Sequence, residues 1–327
     1  MNKTLGKVFV TGGTGFVGSR LIKRLLQLEW DVHALVRNEA SARAMKALGV
    51  TPVIADMADE KVLTKSMQNC ALVFHVAGHL SPWGNYDVFY KTNVVGTRAM
   101  LDAAKKADVQ TFIAVGAAAV VMNRPTSMRK INEKLPLQYP SWAPYIKTKA
   151  EAEKLVIAAN TQTMRTVVLR PPMIWGDNMP TLHEMVQIAK DGNFAFPDGG
   201  SQEISTCHVD NLISCLILAA EKGKGGDAYF VTDNDTSTLK DVINGLLSTQ
   251  GVPAIDKKAP FAVAWFMAGI LEFAWRLLRR KGNPPITRQT LRMIGQNFSL
   301  DITKVKRDLG YSPVVTRSEG LALMTKH

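Results

Sequence analysis

Cysteine is scarce: the 327 residues hold three, Cys70, Cys207 and Cys215, odd in number and far apart. That excludes a disulfide framework and a cysteine-based zinc site, and it points to a reducing compartment. The six histidines, His33, His75, His79, His183, His208 and His327, lack ligand spacing, so no metal is expected. His79 and His208 could nevertheless border a substrate cleft. No Ser-His-Asp order with a nucleophile elbow is present. Residues 1–7 lack the basic-then-apolar layout of a signal peptide, so a cytoplasmic location is expected. Acidic residues are in deficit, 28 against 40 lysines and arginines, for a formal net charge of +12. The excess is spread along helical stretches without the aromatic-basic alternation that stacks bases, so nucleic acid is not an expected partner.

Apolar residues are plentiful, at 46%, enough for a continuous core. In the first half they fall in short runs that alternate with helical stretches. Strands are predicted at 7–10, 32–36, 72–76, 111–115 and 166–169, and helices at 18–28, 93–106 and 145–159. Alternating β and α units with short apolar strands predict a parallel sheet covered on both faces, wound right-handedly. After Arg170-Pro171-Pro172 the pattern loosens, with a helix at 209–221 and a strand at 228–232. Residues 1–172 and about 207–234 are therefore assigned to a sheet domain. Residues 173–206 and 235–327 form a smaller, mostly helical substrate lobe.

The segment Thr11-Gly12-Gly13-Thr14-Gly15-Phe16-Val17-Gly18 joins the first strand to the first helix. Glycines in that context permit a tight turn and let backbone N–H groups approach a pyrophosphate, which the helix N-terminus also favours. This is the fingerprint of a doubly wound, Rossmann-type α/β domain that binds a nicotinamide dinucleotide. An NAD-selective domain places a carboxylate at the end of the second strand. Here Val36 occupies that place, followed by Arg37, whose planar fork suits a ribose 2′-phosphate. NADP(H) is the expected cofactor, with NAD(H) the alternative.

Tyr145 and Lys149 lie four apart at the start of a helix, on one face. An ammonium beside a phenol favours the phenolate, so Lys149 is expected to lower the pKa of Tyr145. With the glycine turn, this pair resembles the extended short-chain dehydrogenase/reductase superfamily over nearly the whole chain. Further matches are Ala55-Asp56, His75-Val76-Ala77, Asn93-Val94-Val95-Gly96-Thr97, Arg170-Pro171-Pro172 and His208-Val209-Asp210-Asn211. The run from Trp83 to Tyr90 looks most like the 3β-hydroxysteroid dehydrogenase/isomerase-like branch. The resemblance implies that Tyr145 is the general acid or base and that Lys149 holds the nicotinamide ribose. It implies that Asp56 and Met57 meet the adenine, Ala77 and Gly78 the ribose, and Pro172 and Met173 the nicotinamide. Asn93 is implied as a tie between sheet and helix, and a homodimer as the assembly.

One departure stands out. Where relatives place a Ser or Thr that hydrogen-bonds the substrate oxygen, this chain has Ala117. Loss of one such donor typically costs about 3 kcal/mol of transition-state stabilisation. Ser81 is a candidate substitute; Thr126, Ser127 and Ser141 are less well placed. The expected activity is ketone–alcohol interconversion on an apolar, steroid-like or fatty molecule. Two other readings are a nucleotide-sugar epimerase or dehydratase and a non-catalytic NADP-binding sensor, the latter favoured by Ala117. Residues 259–271 are uncharged for thirteen positions, too short to span a bilayer. Arg276, Arg279, Arg280 and Lys281 follow among aromatic residues. A helix roofing an apolar pocket and a helix lying in an anionic membrane surface both fit, so residues 259–281 are a candidate peripheral membrane contact.

Overall fold

The computed structural model describes residues 6–122 and 127–325. Its largest element is a seven-stranded sheet made of β1 (Lys7–Thr11), β2 (Asp31–Val36), β3 (Thr51–Ile54), β4 (Cys70–His75) and β5 (Thr111–Val115), completed by two later strands. Those later strands are β7 (Arg165–Arg170) and β11 (Asp227–Phe230); β6 (Met128–Ile131) precedes β7 in the chain, and β8 (Met173–Trp175), β9 (Phe196–Pro197) and β10 (Glu203–His208) run between β7 and β11. The spatial order is β11-β7-β5-β4-β1-β2-β3 and every pairing in it is parallel.

The strands are apolar on both sides because both sides are covered. Val8 and Val10 enter one core while Phe9 enters the other, and Ile113 and Val115 alternate in the same way with Phe112 and Ala114. The first core is closed by α1 (Phe16–Gln27), through Leu21, Ile22 and Leu25, and by α2 (Glu39–Ala47). The second is closed by α3 (Glu60–Met67) and by a helical segment containing α4 (Tyr86–Tyr90) and α5 (Gly96–Lys106). A single π turn at Lys91–Val95 joins α4 to α5, so this helix begins seven residues before the expected start at 93. Next comes α6 (Pro144–Ala158), with Pro144 at its first position, where the missing N–H is no loss.

The chain turns outward to β3 and then returns to β4 on the other side of β1. That reversal opens a crevice beyond the carboxyl ends of β1 and β4, the usual ligand position in such sheets.

The second lobe holds α7 (Leu182–Lys190) and, after α8 (Val209–Lys222), also β12 (Thr236–Thr238), α9 (Leu239–Ser248), β13 (Lys258–Ala259) and α10 (Phe261–Leu277). The chain ends through α11 (Arg288–Ile294), β14 (Phe298–Leu300), α12 (Thr303–Leu309) and α13 (Arg317–Met324). A small sheet of order β12-β10-β14-β6, with β8 against β10, links the lobe to the first domain. Trp175, Phe196, Leu239 and Leu246 form the lobe's own core, whereas Val305, Leu309 and Tyr311 pack into the main one.

A buried ion pair fastens α6 to the sheet. Arg170 Nε lies 3.0 Å from both Glu153 oxygens, and the two side chains are 5% and 0% exposed. Removing one partner of such a pair strands a charge and costs about 3–5 kcal/mol. Glu153→Ala should lose that much stability in urea unfolding, while the double change to leucine at 153 and 170 loses much less. Equal losses in the two proteins would show that the site is sensitive to packing and not to charge.

Candidate active site

The glycine turn is built by contacts that admit no side chain. Gly12 has φ +72°, and a Cβ there would stand 2.8 Å from the Ala77 nitrogen. A Cβ on Gly18 would fall 2.1 Å from the Gly12 carbonyl oxygen. The Gly15 N–H closes the turn on the Gly12 carbonyl at 2.9 Å. Gly15 is the N-cap of α1 and brings no capping side chain, so the first-turn N–H groups stay open to an anion. Thr14 and Gly15 are exposed, and Phe16 and Val17 half-buried, which leaves the mouth of the turn accessible. These features fit a dinucleotide pyrophosphate.

The other candidate cofactor residues fall just past the carboxyl ends of neighbouring strands. Arg37 follows β2, and its exposed guanidinium has no ion pair among the described residues. Asp56 and Met57 follow β3; an Asp56 oxygen accepts the Ala58 N–H at 2.8 Å, and Met57 packs over Gly96. Ala77 and Gly78 follow β4. Pro172 and Met173 follow β7, where the Ala118 N–H donates to the Pro171 carbonyl at 2.9 Å.

A hydrogen-bond chain holds this crevice in shape. The Ala77 N–H donates to Thr11 Oγ1 (3.1 Å), which lies 2.9 Å from His75 Nδ1. On the other side of the ring, His75 Nε2 is 2.9 Å from Thr97 Oγ1, which donates to the Asn93 carbonyl at 2.6 Å. The neutral Nε2–H tautomer satisfies every member. Burial, assisted by the Lys149 charge, lowers the His75 pKa to about 3. Asn93 sits in the π turn and serves as a tie, as expected. Its Oδ1 accepts the His79 N–H (2.7 Å), and its Nδ2 donates to Thr148 Oγ1 (3.1 Å).

Tyr145 and Lys149 share one face of α6. Lys149 Nζ donates to the Val115 carbonyl at 2.6 Å, and a Cβ on Gly78 would stand 3.7 Å from it. The ammonium thus stands between the ends of β4 and β5. Burial lowers its pKa to about 8, opposed by Glu153 one turn further along. The expected lowering of Tyr145 is not found. Burial alone raises its phenol to about 12, because desolvation of the phenolate outweighs any help from Lys149. At neutral pH Tyr145 therefore holds its proton.

Ala117 is buried where β5 ends, as an extended residue leading into a short 3₁₀ turn, Ala118–Val121. Ser81 is occupied elsewhere: its hydroxyl donates to the Trp83 carbonyl at 2.7 Å. Thr126 lies outside the described residues. His79 packs edge-on against Phe89, and His208 against Trp175 beside Asp233, so both rings are held by structural partners. Among the described residues no group of His, Cys, Asp or Glu is arranged to hold a metal.

No local pattern marks Gln289. Buried on α11, its Oε1 accepts the Tyr145 N–H (3.2 Å) and its Nε2 donates to the Ser81 carbonyl (2.9 Å). It braces the start of α6 from 144 residues away. On α10, Trp265 meets Trp142 edge-on at 5.6 Å, and Glu272 is buried against Arg288. The inward face of this helix is a roof over the Tyr145 end of α6.

The 3-beta hydroxysteroid dehydrogenase/isomerase family matches residues 9–260. The chain belongs to that family. It is an oxidoreductase of the extended short-chain dehydrogenase/reductase type. It is 36% identical to the 4-hydroxy-2-methyl-3-oxo-4-farnesyl-3,4-dihydroquinoline-1-oxide ketoreductase of Stigmatella aurantiaca, over 96% of this chain and 94% of that one. It is 30% identical to the 2-alkyl-3-oxoalkanoate reductase of Stenotrophomonas maltophilia, over 96% and 97%. A UDP-glucose 4-epimerase structure from Thermotoga maritima superimposes with a TM-score of 0.75 at 21% identity, covering 98% and 97%. At that identity the likeness is one of fold.

Lys149 carries its charge below about pH 8 and loses it above. NADPH affinity, read from tryptophan quenching, should be flat below about pH 7 and weaken as pH rises through 8 to 9. In Lys149→Met it should be weaker at pH 7 and lack the step. The same step surviving in that variant would assign it to another group.

Proposed function

We propose that the chain is an NADP(H)-dependent ketone reductase, or the reverse alcohol dehydrogenase, acting on an apolar, steroid-like or fatty small molecule. The observation that carries this is the convergence of Tyr145 and Lys149 with the glycine turn, at the carboxyl ends of one parallel sheet. Bound nicotinamide supplies hydride exchange with the carbonyl carbon. The chain supplies the rest. Open N–H groups of α1 meet the pyrophosphate, Arg37 the 2′-phosphate, and Lys149 the ribose. Tyr145, protonated at neutral pH, donates to the carbonyl oxygen and completes the alcohol. Ala117 leaves Tyr145 without the usual second donor. The named substrates of the two relatives above, a farnesyl-bearing quinoline and an alkyl-branched 3-oxo acid, are both ketones with apolar tails. The aromatic roof made by Trp142 and Trp265 suits such tails.

The test is NADPH and NADH oxidation with a long-chain 3-oxo ester. Tyr145→Phe should lose at least about 100-fold in kcat, Ala117→Ser should gain, and Arg37→Glu should reverse the preference for NADPH. Tight NADPH binding with no turnover of any ketone would instead favour the sensor reading.

We also propose that α10 rests on an anionic lipid surface. Among the described residues no helix is long and apolar enough to cross a membrane. Opposite its roofing face, however, α10 exposes Val263, Phe266, Ile270, Phe273 and Leu277, with Phe266 and Leu277 each 69% accessible. An apolar row of that size is unusual on a free surface. Exposed Arg279, Arg280 and Lys281 follow its end, which selects negatively charged headgroups over a second, equally basic copy of the chain. The protein should float with phosphatidylglycerol vesicles and not with phosphatidylcholine. The triple change of Arg276, Arg279 and Arg280 to Glu should abolish flotation; equal flotation on both lipids would remove the basic cluster from the contact.

A further inference from the structure

Arg292 lies on α11, one turn beyond Gln289, and is 8% exposed. Its guanidinium carbon stands 5.4 Å from the Trp142 ring centre and 5.2 Å from that of Trp265, so it lies against both members of the edge-on indole pair. Its polar contacts are poor. Nη1 reaches Gln296 Oε1 only at 3.5 Å, and the buried Nε has no partner. Other sequestered arginines are treated differently. Arg170 has Glu153, Arg288 has Glu272, and Arg165 has the Gly223 carbonyl. No carboxylate among the described residues pairs with Arg292. A cation held this far from water is costly unless something anionic meets it.

Its position says what that anion belongs to. Trp142 precedes Tyr145 by three residues, and Gln289 holds the Tyr145 N–H at 3.2 Å. Arg292 therefore belongs to the layer of α10 and α11 that packs against the start of α6, the end that carries the proton donor. Arg276 and Arg280 also stack on indoles, those of Trp83 and Trp275, but both are exposed and screened by solvent.

We infer that Arg292 is the docking point for a carboxylate on the substrate, held by the planar guanidinium fork beside Trp142 and Trp265. This rests on the reductase reading, and it narrows the substrate class to keto acids with an apolar tail. A carboxylate accepts two parallel N–H bonds from an arginine, an arrangement that a lysine cannot reproduce. An ester or a plain ketone would leave the guanidinium unsatisfied.

The decisive experiment needs no turnover. Calorimetric titration with decanoate and with methyl decanoate, on protein saturated with NADP+, compares an anion with its neutral counterpart. Decanoate should bind at least about tenfold more tightly, a difference of about 1.4 kcal/mol. Arg292→Met should abolish the difference, and Arg292→Lys should restore only part of it. NADPH affinity, measured on each variant, should stay unchanged and so report an intact fold. Equal binding of the two probes by the parent protein would overturn the inference, as would decanoate binding that survives in Arg292→Met. A companion assay with a 3-oxo acid and its ester separates this from the reductase reading. If the parent reduces neither, that reading fails, whatever the calorimetry shows. If it reduces both equally and Arg292→Met changes neither rate, the anion site alone fails.

Discussion

Thr11, His75 and Thr97 each donate one hydrogen bond along a line that runs from the Ala77 amide to the Asn93 carbonyl. The line runs from the end of β1, through the end of β4, into the helix that carries Asn93. It has a direction, and only a neutral imidazole preserves it. Protonation at Nδ1 would turn that nitrogen into a donor and take away the acceptor of the Thr11 hydroxyl proton. Burial and the nearby Lys149 ammonium keep the ring neutral, so the lysine proposed to hold the cofactor also protects the scaffold around it. The glycine turn depends on the same line. Gly12 packs on the Ala77 nitrogen at a distance that tolerates nothing larger than hydrogen, and that nitrogen is fixed by Thr11.

Burial also sets the character of the chemistry. It moves Tyr145 and Lys149 in opposite senses, the phenol to about 12 and the ammonium to about 8, each towards its neutral form. A tyrosine in that state keeps its proton at neutral pH and is available as a donor, though a weaker acid than a free phenol. In the proposed reaction Ala117 offers no hydroxyl, so Tyr145 would be left with most of the work of polarising a carbonyl. A carboxylate clamped by Arg292 would offset part of that loss by fixing the carbonyl's approach, since orientation alone lowers a barrier substantially.

Much of this was legible in the sequence because it depends on local pattern. The strand predicted at 111–115 has the limits of β5, since Gln110 precedes the apolar run and Gly116 interrupts it. The glycine turn and the Tyr145–Lys149 spacing were visible for the same reason. What escaped depends on distant partners. Met128–Ile131 is half charged and becomes a strand only because β14 lies alongside. Gln289 and Arg292 carry no local signal; their importance comes from Tyr145 and Trp142, far away in the chain. The helix α10 was read with two alternatives, roof or surface anchor. Its apolar residues go all the way round, so the pattern by itself does not choose between them. The direction of the Tyr145 shift was missed because spacing reports neighbours and says nothing of lost water.

The π turn at Lys91–Val95 has a consequence for how this chain tolerates change in length. One residue beyond the α-helical count rotates everything downstream by about 100°. Asn93 meets both the His79 loop and α6 from within that turn, while Met100 and Leu101 downstream still enter the core. Removing a single residue anywhere in the turn would turn the polar tie away from the crevice while leaving an ordinary, well-packed helix behind. The segment is thus a register key, indifferent to many substitutions and intolerant of deletion.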